Sequence, residues 1–179
     1  LYTSVQGGVD MGYVTPWTGK VLFNSWGGYD TGGLHDWEKL YEAQADDRYT
    51  IHLLGRNPGE WGQQVHFKSP IKLSTDKEYT LKLNLEANQS LEDVTIKVTD
   101  AADDNNFLFM EKATLKAGEP VCFWKSNVKG INASQVKIVF DFGGNADNTT
   151  INVESIVLKD HANDDGTKLP EVVEDPTVY

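Results

Sequence analysis

From residue 48 onward the chain alternates apolar and polar side chains in short runs, and this alternation constrains the fold more than any other feature. Runs such as 135–142 (QVKIVFDF) and 150–158 (TINVESIVL) put every second side chain on an apolar face. A strand with one buried side has this period of two. Glycine and asparagine clusters separate the runs at short intervals, so the pattern predicts an all-β chain folded as an antiparallel β-sandwich.

Two neighbouring runs, 64–68 and 79–87, flank a turn at 74–77 and are predicted to pair as a β-hairpin. One face of the hairpin would be core, and the other would carry hydrogen-bonding groups: Gln64, His66, Lys82, Asn84 and Glu86. Amides, carboxylates and basic groups can bond the hydroxyls of a sugar ring, and an aromatic ring can cover its apolar face. Trp61 precedes the first run, so this stretch predicts a platform for sugar, although a solvated strand face and a packed tryptophan explain the same residues.

Trp124 is a second aromatic candidate, and its direction depends on the register of its strand. If Val121 and Phe123 face the core, Trp124 points outward; if Cys122 and Trp124 face the core, Phe123 is exposed instead. The sequence leaves both arrangements open. Cys122 is the single cysteine, so no internal disulfide can form, and its apolar context favours a buried position.

The first 47 residues are rich in aromatic residues and glycine, a composition unlike that of a disordered segment. We expect one or two strands around 20–26 with long loops, and the spacing of apolar residues over 34–45 allows a short helix. Trp26, in this region, is a candidate sugar contact. Asp141 is another, because it lies between Phe140 and Phe142 and should point away from the core.

The net charge of −11 limits the partners of the chain. An acidic surface repels phosphate backbones and anionic membranes, which argues against nucleic acid and favours a neutral ligand, although a local basic patch could overrule this for a polyanionic glycan. No segment has the ~18–20 consecutive apolar residues of a membrane span.

Catalytic patterns are not found in the sequence. Sandwich glycosidases need two carboxylates about 5–9.5 Å apart, and no strand contains an acid-x-acid pair. No serine lies in a G-x-S-x-G elbow, and the histidines lack zinc-ligand spacing. A binding role is therefore favoured over an enzyme.

A structural calcium ion is the one cofactor that we consider. Sandwich domains can bind calcium through carboxylates and backbone carbonyls near their termini. Asp160, just after the last strand, and Asp10 are the candidate ligands. Residues 161–179 are acidic, contain two prolines and lack a period, so we expect a domain at 1–160 followed by a linker or extension at 161–179.

Several segments together resemble the carbohydrate-binding modules of families 4, 9 and 22. They are 61–67 (WGQQVHF), 71–73 (IKL), 79–83 (YTLKL), 136–142 followed by two glycines, and 151–158 (INVESIVL), and the resemblance covers residues 48–160. It implies a jelly-roll sandwich with a concave cleft that binds internal stretches of β-linked xylan, glucan or mannan without cleaving them. It also implies attachment to a larger secreted or cell-surface protein. The opening "asparagine, small residue, phenylalanine-glutamate" segment of these families is not found.

The sequence thus predicts a non-catalytic module for a neutral β-glycan, xylan or β-glucan, at an extracellular or cell-surface location. Its predicted sugar contacts are Trp61, Gln64, His66, Asn84, Glu86, Trp124, Asp141 and Trp26. Two alternatives remain: a jelly-roll glycoside hydrolase acting on β-glucan, and a structural or adhesion sandwich whose aromatic residues are all internal.

Overall fold

The computed structural model describes residues 5–6, 9–10, 18–23, 41–45, 48–53, 63–142, 149–164 and 166. Within these ranges the chain forms twelve β-strands and a short 3-10 helix at His161–Asn163. The strands are β1 Val5–Gln6, β2 Val9–Asp10, β3 Thr18–Phe23, β4 Tyr41–Ala45, β5 Arg48–Leu53, β6 Gln63–Ser69, β7 Glu78–Ala87, β8 Leu91–Asp100, β9 Asp103–Leu115, β10 Val121–Lys129, β11 Val136–Asp141 and β12 Thr149–Asp160.

Ten of these strands form two five-stranded antiparallel sheets. Sheet 1 has the order β10-β7-β12-β5-β4, and sheet 2 has the order β3-β6-β11-β8-β9. Most connections carry the chain from one sheet to the other, as in a jelly roll. The antiparallel β-sandwich predicted from the alternating pattern is therefore confirmed.

The core lies between the sheets and is built from every second residue of the central strands. Leu81, Leu83 and Leu85 of β7 are buried, as are Ile138 and Phe140 of β11. Each such side chain contributes about 1.5–3 kcal/mol when it leaves water. The intervening residues point away from the core and form an outer face on each sheet.

The hairpin predicted for 64–68 and 79–87 is wrong, because β6 belongs to sheet 2 and β7 to sheet 1. The connection between them inserts Ile71 and Leu73 into the core, where they are 3% and 1% exposed. The amide of Leu73 donates to the carbonyl of Ala133 at 2.9 Å, which holds the connection in place. The two buried side chains carry the chain across the sandwich, so β6 and β7 do not pair.

The helix considered for 34–45 is wrong over its second half, because Tyr41–Ala45 forms β4. Residues 34–40 lie outside the described ranges. The strand expected near residue 20 is present as β3. Among the described residues, no helix has the length and apolar character needed to cross a membrane.

Candidate functional site

The outer face of sheet 2 brings together three of the residues predicted from sequence: Gln64, His66 and Asp141. The sheet 2 outer face consists of Gln64, His66 and Lys68 of β6, Lys137, Val139 and Asp141 of β11, Thr95, Lys97 and Thr99 of β8, and Phe107, Met110 and Lys112 of β9. These residues alternate with core residues such as Val65 and Phe67, which fixes their outward direction.

Hydrogen-bonding side chains form one end of this face. Gln64 lies opposite Asp141 across the β6–β11 ladder, and Asp141 lies opposite Thr95 across the β11–β8 ladder. The Gln64 Oε1 atom is 3.3 Å from His66 Nε2. The half-buried amide and imidazole offer both donors and acceptors to a polyhydroxylated ligand, whereas Asp141 and Thr95 are 6% and 1% exposed.

Exposed apolar side chains lie on the same face at β9, the edge strand of sheet 2. Phe107 is 42% exposed and Met110 is 55% exposed. The amino group of Lys97 lies 5.0 Å from the centroid of the Phe107 ring. An exposed ring and thioether beside hydrogen-bonding groups can cover the apolar face of a sugar.

Phe107 was not among the residues predicted from sequence, and a register shift explains why. Val98 pairs with Phe109 while Thr99 pairs with Phe107, so β9 bulges between the two phenylalanines. A regular strand would put them on one face, whereas the bulge buries Phe109 and turns Phe107 outward. Strand alternation carries no signal for such a bulge.

Lysines surround Asp104 at the other end of the sheet 2 outer face. Lys137 Nζ lies 2.7 Å from Asp104 Oδ1, and Lys97 Nζ donates to the Asp104 carbonyl at 2.6 Å. The hydrogen bond from Lys137 lowers the pKa of the Asp104 carboxyl below its ordinary value, so that the group is ionised at neutral pH.

Asn84, Glu86 and Trp124 lie on the opposite side of the sandwich. The sheet 1 outer face includes Thr80, Lys82, Asn84 and Glu86 of β7, Cys122 and Trp124 of β10, and Asn152, Glu154, Val157 and Lys159 of β12. Because packed sheets are about 10 Å apart and their outer faces point away from each other, a single sugar cannot contact both sets. The common face predicted for Gln64, His66, Asn84 and Glu86 is therefore wrong.

Trp124 points outward, which settles the two arrangements left open by the sequence. Phe123 faces inward and stacks on Phe109, with ring centroids 6.1 Å apart. Trp124 and Cys122 lie opposite Lys82 and Asn84 on the outer face, where Cys122 is half-buried rather than buried.

The chain end covers this part of the sheet 1 outer face. Lys82 Nζ lies 4.6 Å from the Trp124 ring centroid and 2.6 Å from Asp164 Oδ1, with the Lys82 and Asp164 side chains 3% and 2% exposed. Thr80 Oγ1 lies 2.8 Å from His161 Nδ1. The Trp124 indole nitrogen is buried, and no described group accepts its hydrogen bond. Residues 161–164 thus cover Lys82 and Thr80, and Lys82 lies against the Trp124 ring, while sugar binding by Trp124 stays a prediction from sequence.

Pairing between strands brings two acids of sheet 1 close together. Glu86 lies opposite Asn152, and Glu154 lies opposite Asn84, so the two glutamates are diagonal neighbours on the sheet 1 outer face. Diagonal positions are about 7–8 Å apart, within the range of glycosidase carboxylates. A search for acids within single strands could not find this pair, because it depends on the register of two distant strands.

The remaining predicted residues are Trp61, Trp26, Asp10 and Asp160. Both tryptophans lie outside the described residues, and Asp10 is described only as part of β2. Asp160 Oδ1 accepts from the amide of Ala162 at 3.0 Å, and Asp160 Oδ2 lies 3.6 Å from Lys77 Nζ.

Asp160 thus caps the 3-10 helix and lies near a lysine. The described residues contain no group of three or more histidine, cysteine, aspartate or glutamate side chains that could hold a metal ion. Calcium binding at Asp160 and Asp10 stays a prediction from sequence.

The boundary predicted at residue 160 also stays a prediction. His161 and Asp164 contact β7 through Thr80 and Lys82, as described above. Residues 167–179 lie outside the described ranges.

Comparison with solved structures finds carbohydrate-binding modules, as the sequence resemblance predicts. A family 4 carbohydrate-binding module is 18% identical, with 63% of this chain and 70% of the other covered, at a TM-score of 0.49. The second N-terminal cellulose-binding domain of Cellulomonas fimi β-1,4-glucanase C is 16% identical, with coverages of 64% and 76% and a TM-score of 0.48. The Caldicellulosiruptor saccharolyticus module CBM27-1, in complex with mannohexaose, is 12% identical, with coverages of 63% and 74% and a TM-score of 0.46.

No family model matches this sequence, and no curated protein matches it. With TM-scores below 0.5 and identities below 20%, the structural matches carry no information about the ligand of this chain. Its function has to be inferred from its own residues.

Proposed function

We propose that this chain is a non-catalytic carbohydrate-binding module that binds internal stretches of a β-linked polysaccharide on the sheet 2 outer face. The observation that carries the proposal is the combination on one face of half-buried hydrogen-bonding groups at Gln64 and His66 with the exposed side chains of Phe107 and Met110. Sugars require this combination, since hydroxyls alternate with apolar C–H surface around the ring.

Neutral chains such as xylan and β-glucan are the first ligands to test, because a net charge of −11 disfavours a densely charged polyanion. Each sugar ring stacked on an aromatic side chain contributes about 1–2 kcal/mol from surface removed from water. A few such contacts, less the cost of ordering, give a Kd of about 10⁻³ to 10⁻⁶ M. Such a module would work at the cell surface or outside the cell, tethered to the other domains of a larger protein.

Trp61 remains the first candidate for a stacking residue outside the described ranges. It precedes β6 by two residues in the sequence. We expect Trp61→Ala to weaken polysaccharide binding tenfold or more with little change in melting temperature. Unchanged binding combined with a large drop in melting temperature would assign Trp61 to packing instead.

The experiment that tests the face is affinity gel electrophoresis against xylan, mixed-linkage glucan, laminarin and mannan, with Gln64→Ala and Asn84→Ala as a matched pair. Both residues are half-buried amides on strands, but they lie on opposite outer faces. We expect Gln64→Ala to reduce retardation and Asn84→Ala to leave it unchanged. The reverse result would place the site on sheet 1, and no retardation of the wild type by any polysaccharide would overturn the proposal.

A glycoside hydrolase is the second candidate, and the diagonal pair Glu86 and Glu154 is the observation in its favour. Release of reducing sugar from the same polysaccharides, abolished by Glu86→Gln or by Glu154→Gln, would establish it. We expect no release, because Asp164 covers Lys82, the outward-facing residue next to Asn84 on β7, and so limits access to this part of the sheet 1 outer face.

A further inference from the structure

The charge of the sheet 2 outer face is opposite to that of the whole chain. The face carries four lysines, Lys68, Lys97, Lys112 and Lys137, in a protein of net charge −11. Among the described residues, the Asp141 carboxylate lies on this face and the Asp104 carboxylate is bound to Lys137. A local excess of positive charge attracts anionic groups to that place, whereas the acidic remainder of the molecule repels them.

Two of the lysines are direct neighbours across a ladder. Lys68 of β6 lies opposite Lys137 of β11, and Lys68 is exposed. Like charges directly opposite each other destabilise a sheet. The Asp104 carboxylate bound to Lys137 offsets this repulsion, so Lys68 supplies the exposed positive charge of the pair.

The row of residues that contains these lysines also contains the exposed ring. Reading across sheet 2, Lys68 lies opposite Lys137, Lys137 opposite Thr99, and Thr99 opposite Phe107. With neighbouring strands about 4.8 Å apart, Phe107 lies about 10 Å from Lys137 and about 14 Å from Lys68. Thr99 and Lys137 are 0% and 7% exposed, so Phe107 and Lys68 are the exposed members of this row, and a polysaccharide chain is long enough to reach from one to the other.

We propose that the polysaccharide bound by this face carries carboxylate groups, as a β-linked backbone with uronic acid substituents does. The backbone packs on Phe107 and Met110, and a substituent carboxylate pairs with Lys68, the exposed lysine of the row, since Lys137 is buried and bound to Asp104. Sparse carboxylates suit this face, because a densely charged polyanion would also meet the acidic remainder of the molecule. This inference rests on the proposed function and names the ligand class for the same site.

The test compares a glucuronic-acid-substituted xylan with the same xylan after chemical reduction of its carboxyl groups. We expect the wild-type chain to bind the acidic form about tenfold more tightly, as one charge-assisted contact allows, and this ratio to fall as salt rises. Affinity electrophoresis and titration calorimetry both measure the ratio.

Lys68→Gln and Lys72→Gln provide a matched pair, since both remove one exposed lysine and Lys72 lies in the connection after β6 rather than on the face. We expect Lys68→Gln to lose most of the preference for the acidic xylan and Lys72→Gln to keep it. An equal loss in the two variants would show a general charge effect and overturn the inference.

The two proposals fail in different ways. Equal binding of the acidic and reduced xylans by the wild type would overturn the carboxylate inference and leave the module function in place. Binding of neither xylan, nor of any glucan or mannan, would overturn the proposed function itself.

Discussion

The fold requires glycine at position 130, because the connection between β6 and β7 packs directly on this residue. Its amide donates to the carbonyl of Lys77 at 2.8 Å. A Cβ atom here would overlap the Ser74 carbonyl and lie 2.5 Å from the Lys77 oxygen and 2.8 Å from Tyr79 Cε2. We expect Gly130→Ala to lower the free energy of unfolding by about 1–3 kcal/mol, measured by urea denaturation.

Gly118→Asn is the control for this substitution. Gly118 has a φ of +72° and nothing within 4 Å of an added Cβ. Asparagine adopts this left-handed conformation more readily than other non-glycine residues, so little stability should be lost. If the two variants unfold at the same urea concentration, the close approach at Gly130 is not a constraint.

Side-chain direction at single positions was predictable from alternation wherever the strand is regular. Gln64, His66 and Asp141 were predicted to point outward, and they do. Phe107 was missed because a bulge reverses its direction relative to Phe109. Whether any of these side chains binds sugar is a separate question, which the variants proposed above address.

At the scale of strands, alternation predicted where strands are and not which strands pair. The alternation of apolar and polar residues shows which side of a strand is buried. It does not show in which of the two sheets the strand lies. The hairpin prediction failed for this reason, since Ile71 and Leu73 enter the core between β6 and β7. As a result the predicted site was one surface, whereas the structure divides it between two.

The buried ion pair between Lys82 and Asp164 attaches the 3-10 helix region to β7. Its charged atoms are 2.6 Å apart, and both side chains are almost fully buried. Asp164→Asn leaves the Lys82 ammonium buried without its partner, which should cost about 3–5 kcal/mol of unfolding free energy. The double variant Lys82→Met with Asp164→Leu should recover most of this loss, and a double variant as unstable as the single one would contradict the ion-pair explanation.

The same pair predicts how stability depends on pH. Burial works to raise the pKa of Asp164, but the hydrogen bond and charge of Lys82 outweigh it, and the pKa is lowered from the ordinary value of 3.8. The Asp164 carboxyl therefore binds a proton more readily in the unfolded chain than in the folded one. The stabilisation that the ionised Asp164 gives the fold is present above about pH 4 and is lost as pH falls below that value. Denaturation curves between pH 2 and 5 should show a smaller loss of stability in the double variant than in the wild type.

At the scale of the whole molecule, the two outer faces differ in what covers them and in charge. Residues 161–164 close part of the sheet 1 outer face through Lys82 and Thr80. The sheet 2 outer face presents Phe107, Met110 and an excess of lysine. Neither difference is visible in composition, because the net charge of −11 averages over both faces. The prediction of a neutral ligand followed from that average, and the local charge of sheet 2 argues for carboxylate substituents.

Separation of the two faces predicts that ligand binding and the Lys82–Asp164 pair stabilise the fold independently. A ligand at one hundred times its Kd adds about 2.7 kcal/mol to the unfolding free energy, or roughly 5–11 °C in Tm for a domain of this size. Free-energy effects at distant sites add. Asp164→Asn should therefore lower the Tm of the free protein, but polysaccharide should raise the Tm of this variant by as much as it raises that of the wild type. Differential scanning fluorimetry measures both Tm values. Gln64→Ala should show a smaller increment at the same ligand concentration. An increment that disappears in Asp164→Asn and persists in Gln64→Ala would instead mean that sugar binds on sheet 1, near Trp124 and Lys82.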